Sequence, residues 1–490
     1  MSAKQPNIVF ILTDDQGPWA LGCAGNPEIR TPNLDRLAGQ GVRFENFFCS
    51  SPVCAPARAT ILTGKMPSQH GVHDFIREND NPRLQYLDGH TAYTELLAEA
   101  GYVCGLSGKW GLCNDTEAQK GFSHWYTYIY DGGHYFDPTM VRDGRPVKEQ
   151  GYLTDLITED AMAFIDRQAR EERPFYLSVH YTAPHHLWIG EHPQEYVGLY
   201  DDCPFDSCPQ EPEHPWSLEL TSPADVRTNP RDNLKGYFAA VTAMDHNVGL
   251  ILDQLERLAI REQTLIVFMS DNGFSCGQGG IWGKGNGTYP QNMYDNSVKI
   301  PAIFSHPGRI PQGRVHGALL SQYDVMPTLL DYVGIGHPQA DALPGGSFLS
   351  ILEGQGGDER REVVVYDEYG PVRMIRTERY KYIHRYPYGP FELYDLERDP
   401  RERTNLYDDP DYQERVQELR SRLDRWFLQY ADPALDGARL PVTGTGQSNL
   451  AGPGVTGKPA FNQNGRLFKE RQNQERLISA ARQTTEESDE

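Results

Sequence analysis

Six short stretches hold the side chains able to do chemistry. Asp14 and Asp15 stand together, and Asp271 is followed by Asn272, so two distant segments each offer a pair of side-chain oxygens. A ligand set made only of oxygen suits a hard cation, Ca2+ or the smaller Mg2+, whereas Zn2+ would ask for His or Cys. Turn chemistry alone could explain either pair taken singly. Cys54 lies four residues before Arg58, with Pro56 between them and Gly64 beyond. That pattern predicts a short helix beginning just after Cys54, with Pro56 in a first helical position and Gly64 as its stop. Its amino end would favour an anion, and the four-residue spacing lets Arg58 lie near Cys54. Lys109 and Lys284 could neutralise a multiply charged tetrahedral anion, and His185 could protonate a leaving oxygen near neutral pH.

Such residues need elements that end where they stand. Residues 7–12, 103–107, 175–180, 264–269 and, briefly, 302–304 are short, apolar and rich in β-branched types, the mark of buried strands. Asp14/Asp15, Lys109, His185 and Asp271/Asn272 follow the first four of these. Helices are expected from Pro32 to about Gln40 and over residues 233–258. Strands alternating with helices predict an α/β fold, a mostly parallel central sheet flanked by helices on both faces, with ligands beyond the carboxyl ends of the strands. From about Gly345 the pattern changes to short strands at 363–366, 372–376 and 380–384, an antiparallel sheet, followed by a helix over 411–430. The expected division is a catalytic domain over 1–344, a smaller α+β subdomain over 345–435 and an extension over 436–490. The extension would wrap the core or contact a second subunit, through a charged helix at 466–483.

The 490 residues carry 46 Lys and Arg against 68 Asp and Glu, a net charge of −22. An acidic chain argues against nucleic acid and against a polybasic membrane surface as partners. No apolar run approaches the roughly 20 residues of a membrane span. The chain as written reads as cytoplasmic, or as periplasmic or secreted if an export signal has been removed. Eight cysteines in this length are no disulfide scaffold; reduced thiols are expected, although Cys203 and Cys208 could pair.

The stretch Cys54-Ala-Pro-Ala-Arg58, with Leu62-Thr63-Gly64 after it, resembles the Cys-x-Pro-x-Arg signature of type I sulfatases within the alkaline phosphatase superfamily. Residues 7–16, Gly108-Lys109-Trp110, Ala183-Pro184-His185, Asp271-Asn272-Gly273 and Gly283-Lys284-Gly285 follow in that family's order. Glu392 to Leu396, with Asp399-Pro400 and Asn405-Leu406, is similar to its C-terminal subdomain. The resemblance implies that a maturation enzyme oxidises Cys54 to formylglycine, whose hydrate attacks sulfur and later expels sulfate. It implies Ca2+ on Asp14, Asp15, Asp271, Asn272 and position 54, Arg58 on the nucleophile, Lys109 and Lys284 on sulfate oxygens, and His185 as the acid.

Two departures stand out. Gly111 occupies the place where the family commonly has a His that takes a proton from the hydrate, leaving His70 and His73 as candidates by nearness in sequence. Gln278 and Gly279 stand where many relatives carry His. The expected substrate is a sulfate monoester of a carbohydrate or small organic molecule, with His73, Asp74, Arg77 and His186 as candidate contacts to it, and Trp110 and Trp188 nearby. The same residues leave two other readings open. One is a phosphonate monoester or phosphodiester hydrolase, although those relatives tend to have Asp-His at 271–272. The other is a binding protein with an impaired site.

Overall fold

The first strand of the chain is apolar on both sides because both sides are covered. Ile8, Phe10 and Leu12 enter one hydrophobic core, while Val9 and Ile11 enter another on the opposite face. A strand buried on both faces gains nothing from polar alternation, so its sequence reads as a continuous apolar run. The computed structural model describes residues 5–462 apart from 78–81, 130–132, 219–222, 338, 357–360, 367–371, 387 and 453–457.

The strands in chain order are β1 (Asn7–Thr13), β2 (Val42–Phe48), β3 (Val103–Gly108), β4 (His124–Tyr128), β5 (Thr139–Arg142), β6 (Arg145–Lys148), β7 (Phe175–His180) and β8 (Thr264–Ser270). A two-stranded ribbon of β9 (Ser275–Cys276) and β10 (Trp282–Gly283) precedes β11 (Lys299–Ser305), β12 (Arg314–His316) and β13 (Leu320–Ser321). One sheet runs β12-β2-β11-β8-β1-β7-β3-β4-β5-β6, with β13 also on β2. The pairings from β8 through β1, β7 and β3 to β4 are all parallel, and β11 is antiparallel to both its neighbours. This is the mixed α/β architecture expected, with a mostly parallel sheet between two layers of helices.

One helical layer contains Leu153–Gln168 and Pro230–Arg257. The other contains Cys54–Thr63, Tyr93–Glu99 and Val325–Tyr332. A C-terminal antiparallel sheet of β14 (Glu362–Tyr366), β15 (Val372–Thr377), β16 (Tyr380–Arg385) and β17 (Glu392–Asp395) follows. Val363, Val365, Met374 and Ile383 of that sheet join the core of the main body. Val364, Ile375, Tyr382 and Leu393 face the helix Gln413–Tyr430 instead, against Val416, Leu419, Leu423 and Phe427. The alternation along these strands is thus between two apolar partners.

Beyond that helix the chain forms a strap without regular structure. Gln447 donates to Gly71 O (2.9 Å), accepts from His73 N at its side-chain oxygen (2.9 Å) and pairs its backbone with Phe75 and Arg77. Arg373 ion-pairs with Asp436, and Phe461 packs on the His73 ring. The strap therefore docks on the loop after the cysteine helix. The helix expected at 466–483 lies outside the described residues. All eight cysteines are free thiols, Cys203 and Cys208 included. Among the described residues no helix is long and apolar enough to cross a membrane.

Where β3 ends, Gly108 (φ +114°) passes so close to β7 that a Cβ there would lie 2.0 Å from His180 O. Gly108→Ala is expected to cost at least about 2 kcal/mol of stability, through that clash and the left-handed backbone together. Denaturant unfolding of the two proteins measures it.

Candidate active site

The sheet register assembles the site. Thr13 of β1 pairs with Ser270 of β8, Leu12 with His180 of β7, and His180 with Gly108 of β3. The residues that follow these strand ends, Asp14, Asp271 and Lys109, therefore leave the sheet side by side. The backbone tightens the arrangement: Asp271 N donates to Thr13 O (3.0 Å), Asp14 N to Ala183 O (3.2 Å) and Lys109 N to His180 O (2.8 Å). Asp15 turns the chain in a left-handed conformation (φ 64°).

The cysteine helix spans Cys54–Thr63, so it begins at Cys54 itself and Pro56 takes its third position, not its first. Ala55, Ala57 and Ala59 are buried, their small side chains letting the helix sit close on the sheet, and Gly64 (φ 66°) ends it. Arg58, one turn from Cys54, is buried and spends its fork on the strand ends. Nε and one terminal nitrogen meet Asp271 Oδ2 at 3.1 and 2.9 Å, and the latter nitrogen also lies 3.6 Å from Asp14 Oδ2. The other terminal nitrogen donates to Lys109 O (3.0 Å).

Two ammonium groups complete the cluster. Lys109 Nζ contacts Asp14 Oδ2. Lys284 Nζ donates to Asp15 Oδ1 (2.6 Å) and to Asn272 Oδ1 (3.3 Å), while Asn272 Nδ2 donates to Asp15 Oδ1 (2.6 Å). Burial opposes the charge on Asp14, but Lys109, His185, Arg58 and Lys284 outweigh it and hold this carboxyl below its usual range. Asp15 is lowered in the same way, burial being overcome chiefly by Lys284 and His185. Asp271 goes the other way: burial and the neighbouring Asp14 push it up to about 7, despite Arg58 and Lys284. Burial also opposes the charge on Lys109 and Lys284, yet Asp14 and Asp15 respectively hold them above the ordinary lysine range.

His185 accepts a fixed orientation from its own loop. Nδ1 lies 2.7 Å from His186 O, an acceptor, so Nδ1 carries the hydrogen and Nε2 faces the cluster, 3.8 Å from Asp15 Oδ2. Burial lowers its pKa, with Asp14 and Asp15 opposing. Ligand atoms of Asp14, Asp15 and His185 all lie within 4.8 Å of one another, close enough for one metal ion. Asp14 Oδ1 is buried without a hydrogen-bond partner among the described residues. An orphaned carboxylate oxygen in a polar cluster is what a cation would satisfy, and the raised Asp271 likewise asks for more positive charge. The oxygen donors thus fit a hard divalent ion.

Residues 6–335 match the sulfatase family, and residues 288–429 match the family described as N-sulphoglucosamine sulphohydrolase, C-terminal. The chain belongs to the sulfatase family. It is 29% identical to the N-acetylglucosamine-6-O-sulfatase of Bacteroides thetaiotaomicron, covering 88% of this chain and 87% of that protein. It is 31% identical to the N-acetylgalactosamine-6-sulfatase of Canis lupus familiaris, over 77% and 71% of the two chains. Among solved structures it resembles a protein in complex with its substrate D-glucosamine-2-N,6-O-disulfate, with a TM-score of 0.74 and 28% identity over 88% of this chain and 99% of that one. The sulfatase is accordingly a hydrolase of sulfate esters.

Other candidates from the sequence are placed elsewhere. His73 and Asp74 are buried under the strap, and Arg77 lies against it. His73 N binds Gln447, Asp74 Oδ2 accepts from Gly446 N (3.1 Å), and Arg77 donates to Thr445 O (3.4 Å). These contacts tie all three to the strap. His186 does stand at the site, its ring stacked on that of His185 with centroids 4.4 Å apart. His70 is no spare base: Nε2 lies 3.1 Å from Thr60 Oγ1, and Nδ1 accepts from Val72 N (3.1 Å). Trp110 and Trp188 are buried in the core and bond to backbone carbonyls of Cys113 and Pro184. Gln278 braces Cys276 and Ser207.

One residue at the site went unremarked in the sequence. His180, the last residue of β7, lies beside Arg58 and Lys109; a histidine ending an otherwise apolar strand at the functional edge was the available signal.

The geometry makes metal binding depend on pH with a definite sign. A carboxyl must lose its proton to ligate, and Asp271 keeps its proton to about pH 7. Ca2+ added to EDTA-treated protein is expected to raise the melting temperature clearly at pH 8 and much less at pH 5.5, as binding to the folded state alone demands. Thermal unfolding in the two buffers tests this.

Proposed function

We propose that this sulfatase cleaves a sulfate monoester on a carbohydrate, using a formylglycine made from Cys54 and a calcium ion held by Asp14, Asp15, Asp271, Asn272 and position 54. The observation that carries this reading is the setting of Cys54. Its thiol sits where Lys109, Lys284, Asp14 and Asp271 converge, and burial pushes it up against the pull of the two lysines, so it remains a protonated thiol. A protonated thiol is a poor nucleophile, whereas a hydrated aldehyde supplies two hydroxyls, one to attack sulfur and one to expel sulfate. The ion, when bound, acts as a Lewis acid and a template.

The chain's own residues then have distinct tasks. Arg58, locked by Asp271 and Lys109 O, lies near enough to position 54 to act on it electrostatically. Lys109 and Lys284 bring fixed positive charge to the sulfate oxygens, where it counters charge building up on them. His185, with its Nδ1 hydrogen engaged by His186 O, offers Nε2 as the atom that hands a proton to the leaving oxygen. His186, stacked beside it, is placed to meet the group that carries the ester. A sulfated amino sugar is supported by the two hexosamine-6-sulfatase relatives and by the glucosamine disulfate of the structural neighbour. A phosphonate or phosphodiester substrate ranks behind, because Asn272 stands where an imidazole would be expected for it.

Three measurements test the proposal. Protein made beside a formylglycine-generating enzyme is expected to lose about 18 Da at the peptide containing Cys54, the difference between thiol and aldehyde. It should then release sulfate from N-acetylglucosamine-6-sulfate and leave phosphodiesters intact; the reverse selectivity would refute it. His185→Ala should lower kcat by roughly 100-fold or more on a sugar sulfate, whose alcohol needs a proton to leave. The loss should be far smaller on an aryl sulfate with an acidic phenol, and comparing the two substrates isolates proton donation from binding.

A further inference from the structure

Gly111 leaves a gap in the site that can be located. Its φ is +73°, and a Cβ placed on it would point at the cluster, 3.2 Å from Arg58 Cδ and 3.4 Å from Lys109 Cε. A side chain at 111 would thus have pressed on both cationic residues. The segment 108–111 has glycine at each end, both with positive φ, so little in its own sequence keeps Lys109 at one angle.

What stands against Lys109 and Arg58 comes from the neighbouring strand. His180 Nδ1 lies 3.1 Å from Lys109 O and 3.5 Å from the terminal nitrogen of Arg58 that donates to that same carbonyl. A carbonyl oxygen has two lone pairs and accepts from two donors. The shorter contact therefore belongs to an Nδ1 hydrogen given to Lys109 O, beside the one given by Arg58. The ring is buried and meets Phe10 of β1 edge-on, with centroids 6.5 Å apart. Its own backbone carbonyl receives Lys109 N at 2.8 Å. His180 thereby grips Lys109 at both backbone ends and closes the side of Arg58 turned away from Asp271. Burial, and then Arg58, hold the imidazole well below its usual range, so it stays uncharged beside the guanidinium.

We infer that His180 is a positioning residue, aligning Arg58 and Lys109 on the nucleophile and sulfate by donating from Nδ1 to Lys109 O. The inference rests on the sulfatase reading above. It differs from a proton-transfer role: Nδ1 is engaged with a backbone carbonyl, so His180 acts through Arg58 and Lys109 and touches neither nucleophile nor ester.

The test uses matured, calcium-loaded enzyme and N-acetylglucosamine-6-sulfate. His180→Leu fills similar volume without a donor, and His180→Asn restores a donor at the Nδ1 position. His180→Leu should lower kcat by roughly 10–100-fold with KM changed less than about 3-fold, since small misplacements of charged groups are felt in the transition state. His180→Asn should recover kcat to within about 3-fold of the parent. Should His180→Leu fail to fold, His180→Ala takes its place in the same comparison. Wild-type kcat in His180→Leu, a loss that appears mainly in KM, or no recovery in His180→Asn would each overturn the inference. A parent enzyme that folds, carries the aldehyde and turns over no sulfate ester would instead overturn the sulfatase reading, and this role with it.

Discussion

Three carboxylates and three cations are buried together at one edge of the sheet, and the rest of the molecule is arranged so that they can be. Asp14, Asp15 and Asp271 are wholly or almost wholly shielded from water, and Arg58, Lys109 and Lys284 are nearly so. Burying any one of these charges alone would be prohibitive, so each must arrive with its partners. That requirement fixes the strand register, because Asp14, Lys109 and Asp271 leave adjacent strands at one level. It also fixes the seating of the cysteine helix, whose Arg58 closes the ring between Asp271 and Lys109 O. Once Asp271 is ionised, three positive charges against three negative ones leave the cluster formally neutral. A divalent cation would then enter balanced by the single charge of the sulfate monoester and that of a deprotonated nucleophile.

The catalytic edge was legible because strand type and strand end are written locally. Residues 175–180 are a strand in the sequence and in the structure alike, and β1, β3 and β8 each run one residue past the expected end. A doubly covered strand needs an unbroken apolar run, and a polar residue can follow only where the sheet stops. The same reasoning pointed to a helix at Cys54 but misplaced Pro56, since the helix accommodates it in the first turn without needing it at the first residue. The edge strands β4, β5 and β6 were not foreseen. Their residues are partly exposed, β6 wholly so, and carry no apolar run. The helix Leu153–Gln168 was overlooked although Leu153, Ile157, Ala161, Phe164 and Ile165 repeat at helical spacing on its buried side.

His73, Asp74 and Arg77 show the limit of reading by proximity. Polar residues close after a nucleophile look like substrate contacts, and the strap partners of these three lie far along the chain. The strap that takes them has glycines, prolines and threonines in no period, the texture of a linker. Its bonds are made mostly by backbone groups and by the amide of Gln447, which no hydrophobic pattern announces. His180 was hidden for a related reason: it sits inside a strand whose other residues concern packing, and only the neighbouring strand's carbonyl gives it a task.

The contact of His73 with Gln447 joins residues 374 positions apart. The loop behind the nucleophile helix therefore stays unsealed until the strap, 374 positions further on, is there to cover it. A chain cut short before the strap would expose two buried polar side chains and a patch of aromatic surface at that loop. Closure of that loop is in this way coupled to the docking of the strap.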